Sequence, residues 1–387
     1  MKSGAWFSAL SKRQRVWLFS TLGIMAAILL VGIVASYGKK EDVPVNVSVD
    51  MSVREIAPML GVTPKSLARE LNLPLDVSKR APLKTLRVGD EELQHVAEHL
   101  ISHRDVALKY YVYVALCVWA LVFLIRLGRP DGAGIETRRH WYPRMPYILA
   151  LLASVIVAGF LLGKSPNPME GIVKVFKSMV GLYPDPVVKV LALVFFLFLA
   201  VIGNKIICGW ACPFGSLQEL IYSIPVLKGI KRRKLPFILT NTIRGILLVL
   251  MLLFLFGVIG GRKGLVIYHY VNPFNLFILD LETISLKLTV IIAVIGSFLV
   301  YRPFCVFICP FGFVSWIVER ISLGRVVIDH EKCTKCGACV RACPLEATKG
   351  MLDGKKFPAD CFSCARCLNV CPVDAIEYKS VIKRSHE

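Results

Sequence analysis

Cys333-Thr334-Lys335-Cys336-Gly337-Ala338-Cys339-Val340-Arg341-Ala342-Cys343-Pro344 is followed by Cys361-Phe362-Ser363-Cys364-Ala365-Arg366-Cys367-Leu368-Asn369-Val370-Cys371-Pro372, and both stretches read C-x2-C-x2-C-x3-C-P. Such short spacers let the backbone curl around one iron–sulfur cubane with three thiolates, while the fourth cysteine of each run reaches the neighbouring cubane. Cys333, Cys336, Cys339 and Cys371 are thus predicted to take one 4Fe-4S cluster, and Cys361, Cys364, Cys367 and Cys343 the other. A pair of zinc sites is the other common use of C-x2-C, but it leaves the doubled four-cysteine runs ending in proline unexplained. Residues 321–387 are therefore predicted to form an α+β two-cluster bacterial ferredoxin domain. Lys332, Lys335, Arg341, Lys349, Lys355, Lys356 and Arg366 surround it. Positive charge there favours the reduced clusters and offers an acidic redox partner a docking face; it equally suits a surface held near anionic lipid.

Upstream of this module the chain changes character. Of its 387 residues 55% are hydrophobic, and the mean hydropathy is +0.61, more than a soluble core needs. Apolar runs of about the 20 residues that cross a bilayer fall at 16–37, 109–127, 147–162, 187–207, 237–260 and 286–301. The prediction is a mainly α, polytopic membrane helical bundle of about six spans. The net charge of +20 would suit nucleic acid, but its distribution is that of a membrane protein. Lys and Arg number four in 1–15, five in 126–146 and six in 205–236, against four in 164–189 and three in 261–287. The first three segments are expected on the cytoplasmic side of a bacterial inner membrane, with both termini and the ferredoxin domain. The first run follows Lys12-Arg13-Gln14-Arg15, lacks a clear small-x-small cleavage site and reads as a retained anchor.

Residues 38–108 carry 10 Lys/Arg and 11 Asp/Glu, a near-neutral balance that places a small helical domain outside the cytoplasm. Its stretch 53–73 has helical apolar spacing broken by Gly61 and Pro64, as in a helix-turn-helix. Its predicted side of the membrane argues against DNA. His95, His99 and His103 recur every four residues on the helix leading to the second span, a spacing that suits a metal, a haem iron or a plain solvated face.

Residues 147–320 read as an internal repeat: span, Asn-Pro loop, span, C-x3-C-P-F-G. The loops carry Asn167-Pro168 and Asn272-Pro273; the endings are Cys208 to Gly215 and Cys305 to Gly312. Cysteines four apart share one face of a helix. Cys208, Cys212, Cys305 and Cys309 are therefore a candidate four-thiolate site for an iron–sulfur cluster or a zinc, the alternative being free thiols at helix ends. Of the 13 cysteines, only Cys117 stands apart, as a packed thiol.

Two C-x3-C-P motifs at span ends followed by a double ferredoxin run resemble the membrane ferredoxin-type subunits of the NapH and NosR kind, over roughly 147–387. The resemblance implies electron exchange between the quinone pool and the redox subunits of a partner complex, with quinol as substrate. The first third departs from that pattern, and neither a flavin-attachment signature nor a C-x-x-C-H haem motif appears. A quinol site needs an apolar slot and a proton acceptor. His269, in Tyr268-His269-Tyr270 near Asp280 and Glu282, is the sequence candidate, although Tyr-His-Tyr beside a span is also an ordinary interfacial belt. Similar cysteine motifs occur in metal reductases or oxidase assembly factors of the CcoG type, and a membrane redox sensor without turnover is a further alternative.

Overall fold

The computed structural model describes residues 12–37, 47–60, 67–68, 70–71, 73, 81–86, 88–102, 106–127, 144–181, 186–224, 234–259, 266–279, 281, 283–355 and 358–380. The chain divides into two compact units, 31–108 and 1–30 with 109–387.

Helix α1, Lys12–Tyr37, begins in the larger unit and ends in the smaller. The smaller unit holds α2, Val53–Met59, and α3, Asp90–Ser102. A capping box starts α2: Glu55 Oε2 accepts from both the backbone N and the Oγ of Ser52, each at 2.8 Å. Val53, Ile56, Leu60, Leu83 and Leu93 close a separate apolar core. Residues 61–66, 69 and 72 of the expected helix-turn-helix lie outside the described residues.

In the larger unit each expected span falls on a helix. After α1 come α4, Val106–Leu127; α5, Arg144–Ala153, running on as a π-helix to Leu161; α6, Pro168–Met179; α7, Pro186–Gly203; α8, Pro213–Ser223; α9, Phe237–Leu255; α10, Ile267–Tyr270; and α11, Ile284–Gly296. Among the described residues three helical stretches, Leu108–Ile125, Pro186–Gly203 and Phe237–Leu255, are long and apolar enough to cross a membrane. Phe19–Val34, Pro146–Leu161 and Ile284–Gly296 are apolar but shorter. These helices turn large aliphatic groups outward: Ile238 is 80% exposed, Val187 68% and Ile292 66%. Water would penalise such a surface, whereas lipid solvates it.

Two short helices, α12, Pro303–Phe307, and α13, Pro310–Val318, complete the bundle. The ferredoxin module adds β1, Gly324–Ile328; α14, Ala338–Ala342; α15, Ala347–Leu352; α16, Arg366–Val370; and β2, Ile376–Ser380. The two strands pair antiparallel from Gly324 opposite Ser380 to Ile328 opposite Ile376.

Module and bundle are not separate bodies; buried charges join them. Asp360 pairs with Lys205 and, at 2.7 Å, with Arg244, and none of the three is more than 2% exposed. Glu219 pairs with Arg302 at 3.0 Å and with Arg366. Burial works against the Asp360 carboxylate, but Lys205 and Arg244 outweigh it and hold its pKa below the usual value. Burial also pushes Glu319, 3.4 Å from Lys205, up to about 8, so at neutral pH most of it is the neutral acid.

Removing one partner of a buried pair strands the others. Asp360→Ala should lower stability by about 3–5 kcal/mol, read by chemical unfolding of the solubilised protein. Glu319 has a folded pKa raised from 4.5 to about 8, so its contribution is fully present below pH 4.5 and lost as pH rises toward 8. Glu319→Gln should remove that component, leaving the variant relatively more stable than the parent at pH 8 than at pH 5.

Candidate functional site

The two ferredoxin loops curl for the same backbone reason. Lys335 and Gly337 in the first, and Ser363 and Ala365 in the second, adopt left-handed φ values between 48° and 71°. These turns bend each C-x2-C-x2-C stretch back on itself before its short helix. Cys343 and Cys371 then leave α14 and α16 in extended conformation, with ψ of 124° and 117°, as residues before proline prefer. That exit swings each fourth cysteine away from its own run.

The result is two cavities with crossed linings. Cys333, Cys336, Cys339 and Cys371 line one of about 320 Å³. Cys343, Cys361, Cys364 and Cys367 line another of about 410 Å³. Among the described residues no three His, Cys, Asp or Glu side chains converge as a single metal ion requires. Thiols splayed around a cavity suit a larger polynuclear body instead. The cavities differ in setting. Cys336 is exposed, and the Ala338 backbone N–H holds its thiol pKa below the usual value. Cys364 faces the bundle, and burial, partly offset by Arg366, pushes its thiol up to about 11.

The C-x3-C-P cysteines lie differently from the sequence expectation of one helix face. Cys208 sits in a π-turn, Ile207–Ala211, whereas Cys212 is extended and caps α8. Cys305 lies within α12, and Cys309, also extended, caps α13. Pro213 and Pro310 break each motif because the residue before a proline avoids the helical region. The four still gather: Cys208 is within electrostatic reach of Cys212, Cys305 and Cys309, and Gln218 Nε2 lies 3.6 Å from Cys305 Sγ.

A basic residue three positions before each first cysteine completes the motif. Lys205 and Arg302 both have left-handed φ, 60° and 47°, and both point into the bundle with no exposed surface. Arg302 donates to the Cys208 carbonyl and, at 2.8 Å, to that of Gly209. Arg244 donates to the Cys305 carbonyl at 3.3 Å, and Lys205 to that of Gly312 at 3.3 Å. A Cβ on Gly312 would stand 2.7 Å from the Cys305 oxygen and 2.9 Å from Arg244 Nη1, so this glycine is required by close approach. Sequence reading missed Lys205, Arg244, Arg302, Glu219 and Asp360. The visible signal was a basic residue at the same offset in both copies.

The ferredoxin loop rests directly on this region. A Cβ on Gly209 would stand 2.1 Å from the Phe362 carbonyl oxygen. Trp210 Nε1 donates to the Ser363 carbonyl at 3.0 Å, and Ser363 Oγ donates to the carbonyls of Gly203 and Asn204, both at 2.9 Å. Phe362 packs edge-on to Tyr301 and under Arg302.

Other sequence candidates are described only in part. His269 is exposed on α10 and lines neither cysteine cavity; Asp280 and Glu282 lie outside the described residues. His95 is exposed, the side chain of His99 is not described, and His103 lies outside the described residues. Cys117 is buried in α4. Lys332, Lys335, Arg341, Lys349 and Lys355 are exposed, Lys356 lies outside the described residues, and Arg366 is committed to Glu219.

Two family models match, both described as a 4Fe-4S binding domain: one at 185–235 and 284–328, the other at 326–348. The first therefore covers the C-x3-C-P segments and the second the first ferredoxin run. The methylamine utilization ferredoxin-type protein MauN of Methylorubrum extorquens is 31% identical over 57% of this chain and 81% of its own. The ferredoxin-type protein NapH of Haemophilus influenzae is 29% identical over 45% of this chain and 59% of its own. The regulatory protein NosR of Stutzerimonas stutzeri is 27% identical over 42% of this chain and 23% of its own. The chain thus spans little more than half of NapH and a quarter of NosR. No solved structure matches it. With four fifths of MauN covered at that identity, the chain belongs to the NapH/NosR-like family of ferredoxin-type proteins.

Proposed function

We propose that this protein relays electrons between the membrane quinone pool and a redox partner through three cysteine-held iron–sulfur clusters in series. The contact between Gly209 and Phe362 carries this reading. Gly209 lies between Cys208 and Cys212, Phe362 between Cys361 and Cys364, so two candidate ligand sets meet with no room for a further side chain. The set at Cys333, Cys336, Cys339 and Cys371 then stands at the surface, where a partner reaches it.

In this reading Cys208, Cys212, Cys305 and Cys309 hold the membrane cluster. The charges around them favour a polynuclear anion. Lys205, Arg244 and Arg302 are fully buried cations, faced by Asp360 and Glu219, of which Glu219 also serves Arg366. A four-thiolate cluster supplies the missing negative charge in a medium where uncompensated cations are costly. When bound, such clusters supply one-electron carriers whose potentials respond to the surrounding charge. The chain's own part is to space the ligand sets, exclude water and fix the local field. In this reading all six apolar helices cross the membrane, and the basic loops support a cytoplasmic ferredoxin module.

Three clusters correspond to about 12 iron atoms per chain and two to about 8. Replacing both Cys212 and Cys309 by serine should lower iron and acid-labile sulfide by about 4 each, with the ferredoxin signals retained in electron paramagnetic resonance. Equal iron in parent and variant would remove the membrane cluster from the scheme. A short-chain quinol such as duroquinol should reduce the clusters of the protein in lipid vesicles under anaerobic conditions, seen as bleaching of visible absorbance. No bleaching, with or without partner subunits, would sink the quinone reading.

A further inference from the structure

Between the bundle and the ferredoxin module lies a third cleft, whose empty space of about 460 Å³ includes open solvent. Its bundle wall comes from Tyr222 at the end of α8, Phe237 and Thr240 at the start of α9, and Leu299 to Tyr301 after α11. Its module wall comes from Pro344 to Glu346 and from Ala359 and Asp360. Three features give it a chemical identity.

Its bundle wall sets the apolar Phe237, Leu299 and Val300 beside the hydroxyls of Tyr222, Thr240 and Tyr301, and borders the lipid-facing surface. Leu299 is 39% exposed; next along α9 from Phe237, Ile238 and Leu239 are 80% and 51% exposed, and Ile295 on α11 is 59% exposed. A hydrophobic molecule dissolved in the bilayer meets this wall without crossing water. The module wall belongs to the residues that carry candidate cluster ligands: Pro344 follows Cys343, and Asp360 precedes Cys361. A redox-active ring held here is therefore close to the set at Cys343, Cys361, Cys364 and Cys367. Last, the cavity holds two carboxylates in different states of commitment. Asp360 is neutralised by Lys205 and Arg244. Glu346 has no ion pair within salt-bridge distance among the described residues; its Oε2 accepts from the Phe237 backbone N at 2.9 Å. That bond holds the carboxylate in place at the cavity wall. The titratable groups around it are Lys234, whose Nζ donates to the Val340 carbonyl, Asp360, Tyr222, Tyr301 and Cys343.

We propose that this cavity binds the quinol headgroup and that Glu346 is its proton acceptor. The proposal rests on the quinone reading given above and moves the site from His269 to the bundle–module junction. In the step, the two O–H bonds of the quinol break and its ring becomes the quinone. Two electrons leave one at a time for the oxidised 4Fe-4S cluster that Cys343, Cys361, Cys364 and Cys367 would hold, each being passed on to the next carrier before the second arrives. The two protons pass in turn to the Glu346 carboxylate and on to water.

The test uses the full-length, cluster-loaded protein in lipid nanodiscs, with duroquinone for equilibrium binding and duroquinol for reduction. Leu299→Trp fills the bundle side of the cavity and should weaken duroquinone binding about tenfold or more. Glu346→Gln keeps an oxygen acceptor for Phe237 N but removes the carboxylate. It should bind duroquinone within about twofold of the parent while cluster reduction by duroquinol slows about a hundredfold, with partial recovery in Glu346→Asp. Reduction by dithionite, which needs no quinol site, should be unchanged in all variants and reports that clusters and fold are intact. If Leu299→Trp does not load clusters, the two Glu346 variants decide the matter. A parent that binds duroquinone and is reduced by duroquinol, with Glu346→Gln equal to it in rate, overturns the proposal but leaves the quinone reading standing. A parent that neither binds nor is reduced overturns both.

Discussion

Lys205 and Arg244 meet on one carboxylate, Asp360, and Arg302 and Arg366 meet on another, Glu219. In each group two members come from the helical bundle and one from the ferredoxin module, and nearly all of this charge is out of contact with solvent. Such groups are costly unless their geometry is closely satisfied. The pairing therefore holds the module in one orientation. Everything functional here follows from that orientation: which cysteine cavity faces the bundle, which faces outward, and what space is left between them.

The same cations serve the cysteine motifs. Arg302 and Arg244 each donate to the carbonyl of the first cysteine of a C-x3-C-P stretch, and Lys205 and Arg302 hold equivalent left-handed positions. One set of side chains thus closes the junction and shapes the backbone that presents the thiols. Shaping of the cysteine backbone and mechanical docking are here a single arrangement. Separating them by mutation is accordingly hard, because a change at Arg302 touches both.

What could be read from the sequence was what depends on short range. The ferredoxin runs were legible because the spacing of Cys333, Cys336 and Cys339, with proline after Cys343, is itself the geometry. Apolar runs located the helices for a similar reason: composition over 20 residues decides solvent preference. The C-x3-C motifs were misplaced on a single helix because helical periodicity was applied across Cys212-Pro213 and Cys309-Pro310, where proline forbids it. His269 was singled out by its residue type and by its loop near Asp280 and Glu282; it is exposed, and those two carboxylates lie outside the described residues. The junction was not legible at all. Asp360 follows Lys205 by 155 residues and Arg244 by 116, and no local pattern marks a partner that distant.

That separation along the chain also has a meaning in time. A ribosome delivers Lys205 and Arg244 well before Asp360, so the newly made bundle holds two cations whose shared carboxylate does not yet exist. Until the C-terminal module emerges, curls around its cysteines and docks, the bundle stays electrostatically incomplete. Completion of the bundle is in this way made conditional on arrival of the segment that carries Asp360. A chain that stalls or is clipped before that point carries its own mark of unfinished assembly.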